Sequence, residues 1–203
     1  GLLLPHAIGL APLALFGVKP WRGTLYPIAI QAGQDATEYA IITPVRTPEK
    51  TPEYWAWRQA KTAVQVADAI YHKLVVHLGR THFISEAVAL ATHHQFAPWH
   101  PIFVLLSHHF EGTLAINSSA ASSMLAPGGV IDAGYGGELQ SMIKLAVRSV
   151  NDFDFYKMMP PADFAERGVA KDSLLVDYPY RDDSLRLWAA INDWTRDYVD
   201  VYY

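Results

Sequence analysis

His77 and His82 stand five residues apart inside a run, HKLVVHLGRTHFISEAVALATHH (72–94), that otherwise reads as one long helix. That spacing does not suit an ordinary α-helix. At about 100° per residue, positions i and i+5 point roughly 140° apart, whereas i and i+4 share a face. Both imidazoles can reach one object only if the backbone widens locally to i→i+5 pairing. Such π-bulges are rare and are frequent at functional sites. Neutral imidazole is the commonest protein metal ligand and suits Zn, Cu, Fe and Ni. The pair therefore points to a metal held by a deformed helix. The plainer alternative is a pair of core histidines that donate to backbone carbonyls and bind nothing.

The surrounding residues narrow the chemistry. A zincin needs two histidines at i and i+4 with a glutamate between them, and the chain has no such motif. Glu86 follows His82 by four, placing it on the same face as a ligand, a partner of a ligand, or a cavity-lining carboxylate. His72 extends the ladder by another step of five. His93-His94, His100 and His108-His109 show no metal spacing. Ser118, Ser119, Ser122 and Ser123 sit in no GxSxG elbow, and the glycines of 134–137 do not form GxGxxG.

Composition sets the class. Of 203 residues, 51% are hydrophobic and 18% charged, which describes a packed chain with enough length for a substantial core. A net charge of −4 without a basic tract argues against a nucleic-acid partner. The absence of cysteine excludes disulfides, thiolate metal sites and cysteine nucleophiles. Leu2–Val18 is apolar but contains Pro5, His6 and Pro12, so it reads as buried irregular or extended chain, not as a bilayer span. The expected location is cytoplasmic.

The pattern is mainly α, with a small extended N-terminal segment. Residues 24–31 and 39–43 read as strands, and Thr47, Pro48, Thr51 and Pro52 mark a turn. Helical periodicity runs from about Glu53 to Gln95, too long for an average helix, with Gly79 near its irregular middle. A second helix is expected from about Ile102 to Leu125, closed by Pro127-Gly128-Gly129. A third is expected over 137–150, with Leu139, Ile143, Ala146, Val147 and Val150 on its apolar face. A short helix over 162–167 stops at Gly168, and a last one runs from about Asp183 to Asp200. No repeat or internal domain boundary stands out.

The run from His72 to Asn117 resembles the iron-binding helix region of lipoxygenases. That family's pattern is H-x4-H-x4-H, an acidic residue, an A-T pair, H-P-I, a leucine pair, P-H or its equivalent, and I-N. It is matched here by His72, His77, His82, Glu86, Ala91-Thr92, His100-Pro101-Ile102, Leu105-Leu106, His108 and Ile116-Asn117. Upstream, GTLYPIAIQ (23–31) resembles the family's G-x-L-x-P-I-A-I strand. Downstream, PADFAERGV (161–169) and the segment 174–203 resemble the following part of the same domain. Two departures are Lys73, where many members carry glutamine or glutamate, and Ser107-His108 in place of the commoner Pro-His.

The resemblance implies a helical lipoxygenase catalytic domain. It implies a dioxygenase that uses non-haem iron and O2 to convert polyunsaturated fatty acids of the linoleate or arachidonate type into hydroperoxides. Hydrogen leaves the bis-allylic carbon of a cis,cis-1,4-pentadiene, and oxygen adds to the radical. His77 and His82 become metal ligands, with His72 beside them. Ala120 falls where members carry alanine or glycine, a choice associated with product stereochemistry, and alanine resembles the S-forming members. Met124 and Ile131 match positions beside the pentadiene; the plain alternative is helix core.

The family's remaining ligands lie in the second half of its domain. Residues 1–203 are therefore expected to be a partial catalytic domain, truncated at both ends, inactive in isolation and in need of the rest. A peripheral membrane contact for substrate uptake fits this reading. Two rivals remain: a lipoxygenase-like fragment that binds fatty acid without iron, and a histidine-ligated zinc hydrolase.

Overall fold

A computed structural model of the chain describes residues 11–19, 21–46 and 51–203. Thr47 and Pro48 of the expected turn, and the first ten residues of the apolar N-terminal stretch, lie outside that set. The chain divides into two compact units. One gathers Ala32–Ala40 and Arg58–Phe153, with the described residues up to Leu13; the other gathers Ala14–Gln31, the described part of Ile41–Trp57, and Asp154–Tyr203.

Long helical periodicity becomes three consecutive windings in one continuous run. Helix α1 (Pro52–Tyr71) opens with proline at its first turn, and Thr51 Oγ1 accepts from the Tyr54 backbone N–H at 3.2 Å. A π-helical segment follows, His72–Phe83, and α2 (Ile84–Gln95) completes the run. The expected irregularity is thus real, and at twelve residues it exceeds the single-turn bulge usual for π pairing. Thr81 shows the widened winding in a side chain, since its hydroxyl donates to the carbonyl of Val76, five residues back, at 2.9 Å.

The rest of the first unit packs around this run. Helix α6 (Leu139–Asn151) lies against the π segment, and α2 packs on α3 (Pro101–Ser107) and α4 (Thr113–Ser123). Leu74, fully buried on the π segment, joins Leu139 and Met142 of α6 and Ile131 of the short α5 (Val130–Gly134) in one apolar cluster. Burying a side chain of this size is worth about 1.5–3 kcal/mol.

Several expectations change here. The single helix over 102–125 is two helices, separated by a 3₁₀ turn (His108–Phe110) and by Gly112, whose φ of +76° ends the right-handed winding. Helix α5 went unanticipated because five residues are too few to show a period. The buried face of α6 is Leu139, Met142, Ala146 and Ser149, while Val147 is 48% exposed. The face is rotated because Ser149 satisfies its own hydroxyl by donating to the Ala146 carbonyl at 2.6 Å, which lets a polar side chain lie inside.

In the second unit, β1 (Leu13–Val18), β2 (Leu25–Gln31) and β3 (Ile41–Ile42) form a sheet in that order. Strands β2 and β3 are antiparallel, with Ile30 opposite Ile42 and Gln31 opposite Ile41. The stretch expected to be buried is extended over β1, but Leu13, Leu15 and Phe16 are exposed there, so the burial half of that reading is corrected. An edge strand has a partner on one side only.

Helix α7 (Pro160–Glu166) starts two residues earlier than expected and stops before Gly168, with φ of +67°. Helix α8 (Pro179–Tyr202) begins four residues earlier, with proline in its first turn. Arg181, 2% exposed, donates to the carbonyls of Val169, Ala170, Leu175 and Val176 and so ties the 169–176 loop to the start of α8. Among the described residues, no helix is long and apolar enough to cross a membrane.

Candidate metal centre and apolar cavity

The π winding turns the two histidines toward one another. Nε2 of His77 and Nε2 of His82 lie 3.2 Å apart, and the ring planes meet at 78° with centroids 4.7 Å apart. Both side chains are half-buried. Gly79, between them in sequence, faces the opposite side. A Cβ at Gly79 would overlap Ser149 Oγ and come within 2.9 Å of the Ala146 carbonyl oxygen, so only glycine allows α6 to approach here.

One imidazole has a defined tautomer. His82 Nδ1 lies 2.7 Å from Asn117 Oδ1. The Asn117 amide orientation is fixed by its other half, because Nδ2 donates to Glu86 Oε2 at 2.7 Å and to the His82 backbone carbonyl at 3.1 Å. Oδ1 can only accept, so Nδ1 of His82 carries a proton, and in the neutral ring Nε2 then presents a bare electron pair. Such a pair aimed at a second ring nitrogen needs a proton or a cation between them. Burial pushes the pKa of His77 below the usual imidazole range, and the charges of Lys73, His82 and His72 push in the same direction. That direction favours the neutral ring, the form that ligates.

The donor set fits a cation. Two nitrogens bound to one ion at about 2.1 Å in adjacent positions stand about 3.0 Å apart, close to the observed 3.2 Å. Among the described residues, no group of three or more histidine, cysteine, aspartate or glutamate side chains that could hold a metal ion comes together. Glu86 is engaged by Asn117, which makes it a partner of the ligand's support. His72 stacks nearly parallel to His77 with centroids 6.4 Å apart. His100 caps α3, its Nδ1 accepting from the Ile102 backbone N–H at 3.2 Å, and His93 lies edge-on to Phe103.

The rings open onto a cavity of about 870 Å³. His77, His82, Ala120, Met124 and Ile131 all line it, so every site residue expected from the sequence meets at one place. Ala120 comes from α4, Met124 follows that helix, and Ile131 (2% exposed) comes from α5. Leu78, Leu90, Leu114 and Leu125 add to a largely apolar wall, into which Lys73 and Glu86 also reach. The space is long-chain sized: ligand sites commonly span about 300–1,000 Å³ and bury most of an apolar ligand. The role of Asn117, 35 residues beyond His82, was not visible in the sequence except as the end of the I-N motif.

Comparison with known proteins places this arrangement in context. The profile of a family described as lipoxygenase matches residues 13–203. The chain is 45% identical over its full length to linoleate 9/13-lipoxygenase of Pseudomonas aeruginosa, covering 29% of that protein. It is 38% identical to chloroplastic lipoxygenase 3 of Arabidopsis thaliana, over 89% of the chain and 21% of the relative. Among solved structures, a coral 8R-lipoxygenase superposes with a TM-score of 0.87 at 33% identity, over 97% of this chain and 29% of that one. A manganese lipoxygenase superposes at 0.86 with 22% identity, over 100% of this chain and 35% of that one, which is a likeness of fold. The chain thus spans between 21% and 29% of the length of these two sequence relatives.

Proposed function

The chain belongs to the lipoxygenase family, and on that basis we propose that residues 1–203 form part of the catalytic domain of a fatty-acid dioxygenase. The substrate class is a polyunsaturated fatty acid bearing a cis,cis-1,4-pentadiene, of the linoleate or arachidonate type, and the product is a hydroperoxide. The observation that carries this reading is the convergence of two Nε2 atoms, 3.2 Å apart, on the wall of a largely apolar 870 Å³ cavity. A pair of metal-ligating histidines at the edge of an apolar cavity suits oxidation of a hydrocarbon chain, which offers nothing for a polar site to grip.

His77 and His82 would hold a non-haem iron through Nε2. Iron, when bound, supplies the one-electron chemistry that removes hydrogen from the bis-allylic carbon. The chain's own residues do the positioning. The apolar wall excludes water and takes the acyl chain, releasing about 0.8 kcal/mol for each methylene it buries. Met124 and Ile131 hold the pentadiene against the histidine side of the cavity. The Ala120 methyl covers one end of the pentadiene, leaving the other open to O2, as in S-forming members. Lys73 keeps positive charge beside His77 and opposes its protonation. The remaining ligands are assigned to catalytic-domain segments outside these 203 residues. A cytoplasmic location, with peripheral membrane contact during substrate uptake, completes the reading.

The test separates metal from turnover. His77→Ala and His82→Ala should each abolish iron uptake, measured by metal analysis of the purified protein. Oxygen consumption and conjugated-diene absorbance with linoleate should appear when these residues are joined to the rest of a catalytic domain, and be near zero for the 203 residues alone. Either of two results overturns the dioxygenase reading: zinc in place of iron without oxygen consumption favours the zinc hydrolase, and metal content unchanged in both variants leaves a fatty-acid-binding segment.

A further inference from the structure

We propose that Asn117 is a positioning residue that locks His82 in the tautomer able to ligate a metal, and that Glu86 locks Asn117. This deepens the metal-binding reading of His77 and His82 and rests on it. A neutral imidazole carries its proton on either nitrogen, and free in water it prefers Nε2. In that form His82 would aim an N–H, not an electron pair, at the cavity and at His77 Nε2.

The geometry around His82 reverses that preference. Asn117 Oδ1 stands 2.7 Å from Nδ1 and can only accept, so the proton must lie on Nδ1. Turning the amide over would aim its NH2 at Nδ1. It would also press Oδ1 against Glu86 Oε2 and the His82 carbonyl oxygen, which now receive Nδ2 at 2.7 and 3.1 Å. An ionised carboxylate has no proton to offer, so Glu86 excludes the turned amide. The order of control runs from the Glu86 carboxylate through the Asn117 amide to the His82 ring.

Asn117 sits on α4 and Glu86 on α2, so the docking of these two helices is what sets the proton position on a π-segment histidine. His77 offers an internal comparison. No hydrogen-bond partner of its Nδ1 occurs among the described residues, and its Nε2 meets only His82. Second partners of this kind typically govern metal affinity by 10- to 100-fold.

Long-range ¹H–¹⁵N NMR of the metal-free protein, with ¹⁵N-labelled histidine, reads the tautomer directly. The wild type should show His82 with Nδ1 protonated and Nε2 bare. Asn117→Ala should move the His82 proton to Nε2, turn His77 Nε2 from donor to acceptor with its own proton on Nδ1, and weaken cobalt(II) binding about 10- to 100-fold. Glu86→Ala removes the carboxylate that excludes the turned amide and should raise the share of His82 protonated on Nε2. A wild-type His82 protonated on Nε2, or an Asn117→Ala protein with the wild-type tautomer, overturns the proposal. If Asn117→Ala does not fold, the wild-type and Glu86→Ala spectra decide the matter, and a tautomer unchanged in Glu86→Ala removes Glu86 from the chain of control. Cobalt(II) affinity unchanged by His77→Ala would instead sink the metal reading and leave the tautomer result standing.

Discussion

Gly79 and Ser149 touch across the interface of the π segment and α6 so closely that no side chain fits at residue 79. Ser149 Oγ is turned back onto the Ala146 carbonyl, so the glycine meets a satisfied hydroxyl instead of an open hydrogen-bonding group. Gly79 is buried, and it lies midway between the two histidines whose rings converge on the other side. The contact that seats α6 and the turn that joins the histidines are therefore made by the same stretch of widened helix.

Gly79→Ala is accordingly expected to destabilise the protein. A helical alanine gains up to about 1 kcal/mol over glycine, but overpacking at a closed contact costs about 1–3 kcal/mol, and the clash should prevail. Chemical denaturation will show the loss. Adding Ser149→Ala should restore only part of it, since the Ala146 carbonyl remains within 2.9 Å of the new methyl.

Ile131 belongs both to the cavity wall and to the core cluster with Leu74, Leu139 and Met142. Ile131→Ala should lower stability by about 2–5 kcal/mol. Met124→Ala, at a half-buried position, should cost less and act mainly on substrate placement. Denaturation midpoints and, in the complete enzyme, the spread of oxygenated positions in the product, read by mass spectrometry, distinguish the two effects.

Ala120→Gly removes a methyl from the cavity wall while leaving α4 otherwise unaltered. In the complete enzyme this should raise the R fraction of the hydroperoxide, measured by chiral chromatography, with helix destabilisation of about 1 kcal/mol. An unchanged enantiomer ratio would show that oxygen access is governed elsewhere.

Arg181→Met should be among the most damaging changes in the second unit. It removes the buried guanidinium that four loop carbonyls now share and leaves the Leu175 carbonyl, the most buried of them, without that donor, at about 1–3 kcal/mol for an unpaired buried acceptor. Arg181→Lys should rescue little, because a compact ammonium cannot span the same fork of acceptors. Thermal unfolding and proteolysis within 169–176 report the loss.

Much of this protein was legible in local spacing. The step of five from His77 to His82 demanded a widened helix, and the backbone has one. Gly128 and Gly168 marked chain reversals where φ is indeed positive, and the Pro/Gly punctuation placed most helix ends within a few residues. These features depend on torsions and periods within a single segment, so neighbouring residues suffice to specify them.

Packing between distant segments supplied the rest. The rotated face of α6 follows from a polar Ser149 that bonds to its own helix and admits Gly79, which hydrophobic periodicity could not anticipate. The break at Gly112 falls inside a stretch that reads in sequence as one helix. Above all, which nitrogen of His82 bears its proton depends on an amide 35 residues away and on a carboxylate from another helix. A chain can write the spacing of two rings into five consecutive steps, but the direction of a proton is settled by partners that meet only after the helices have docked.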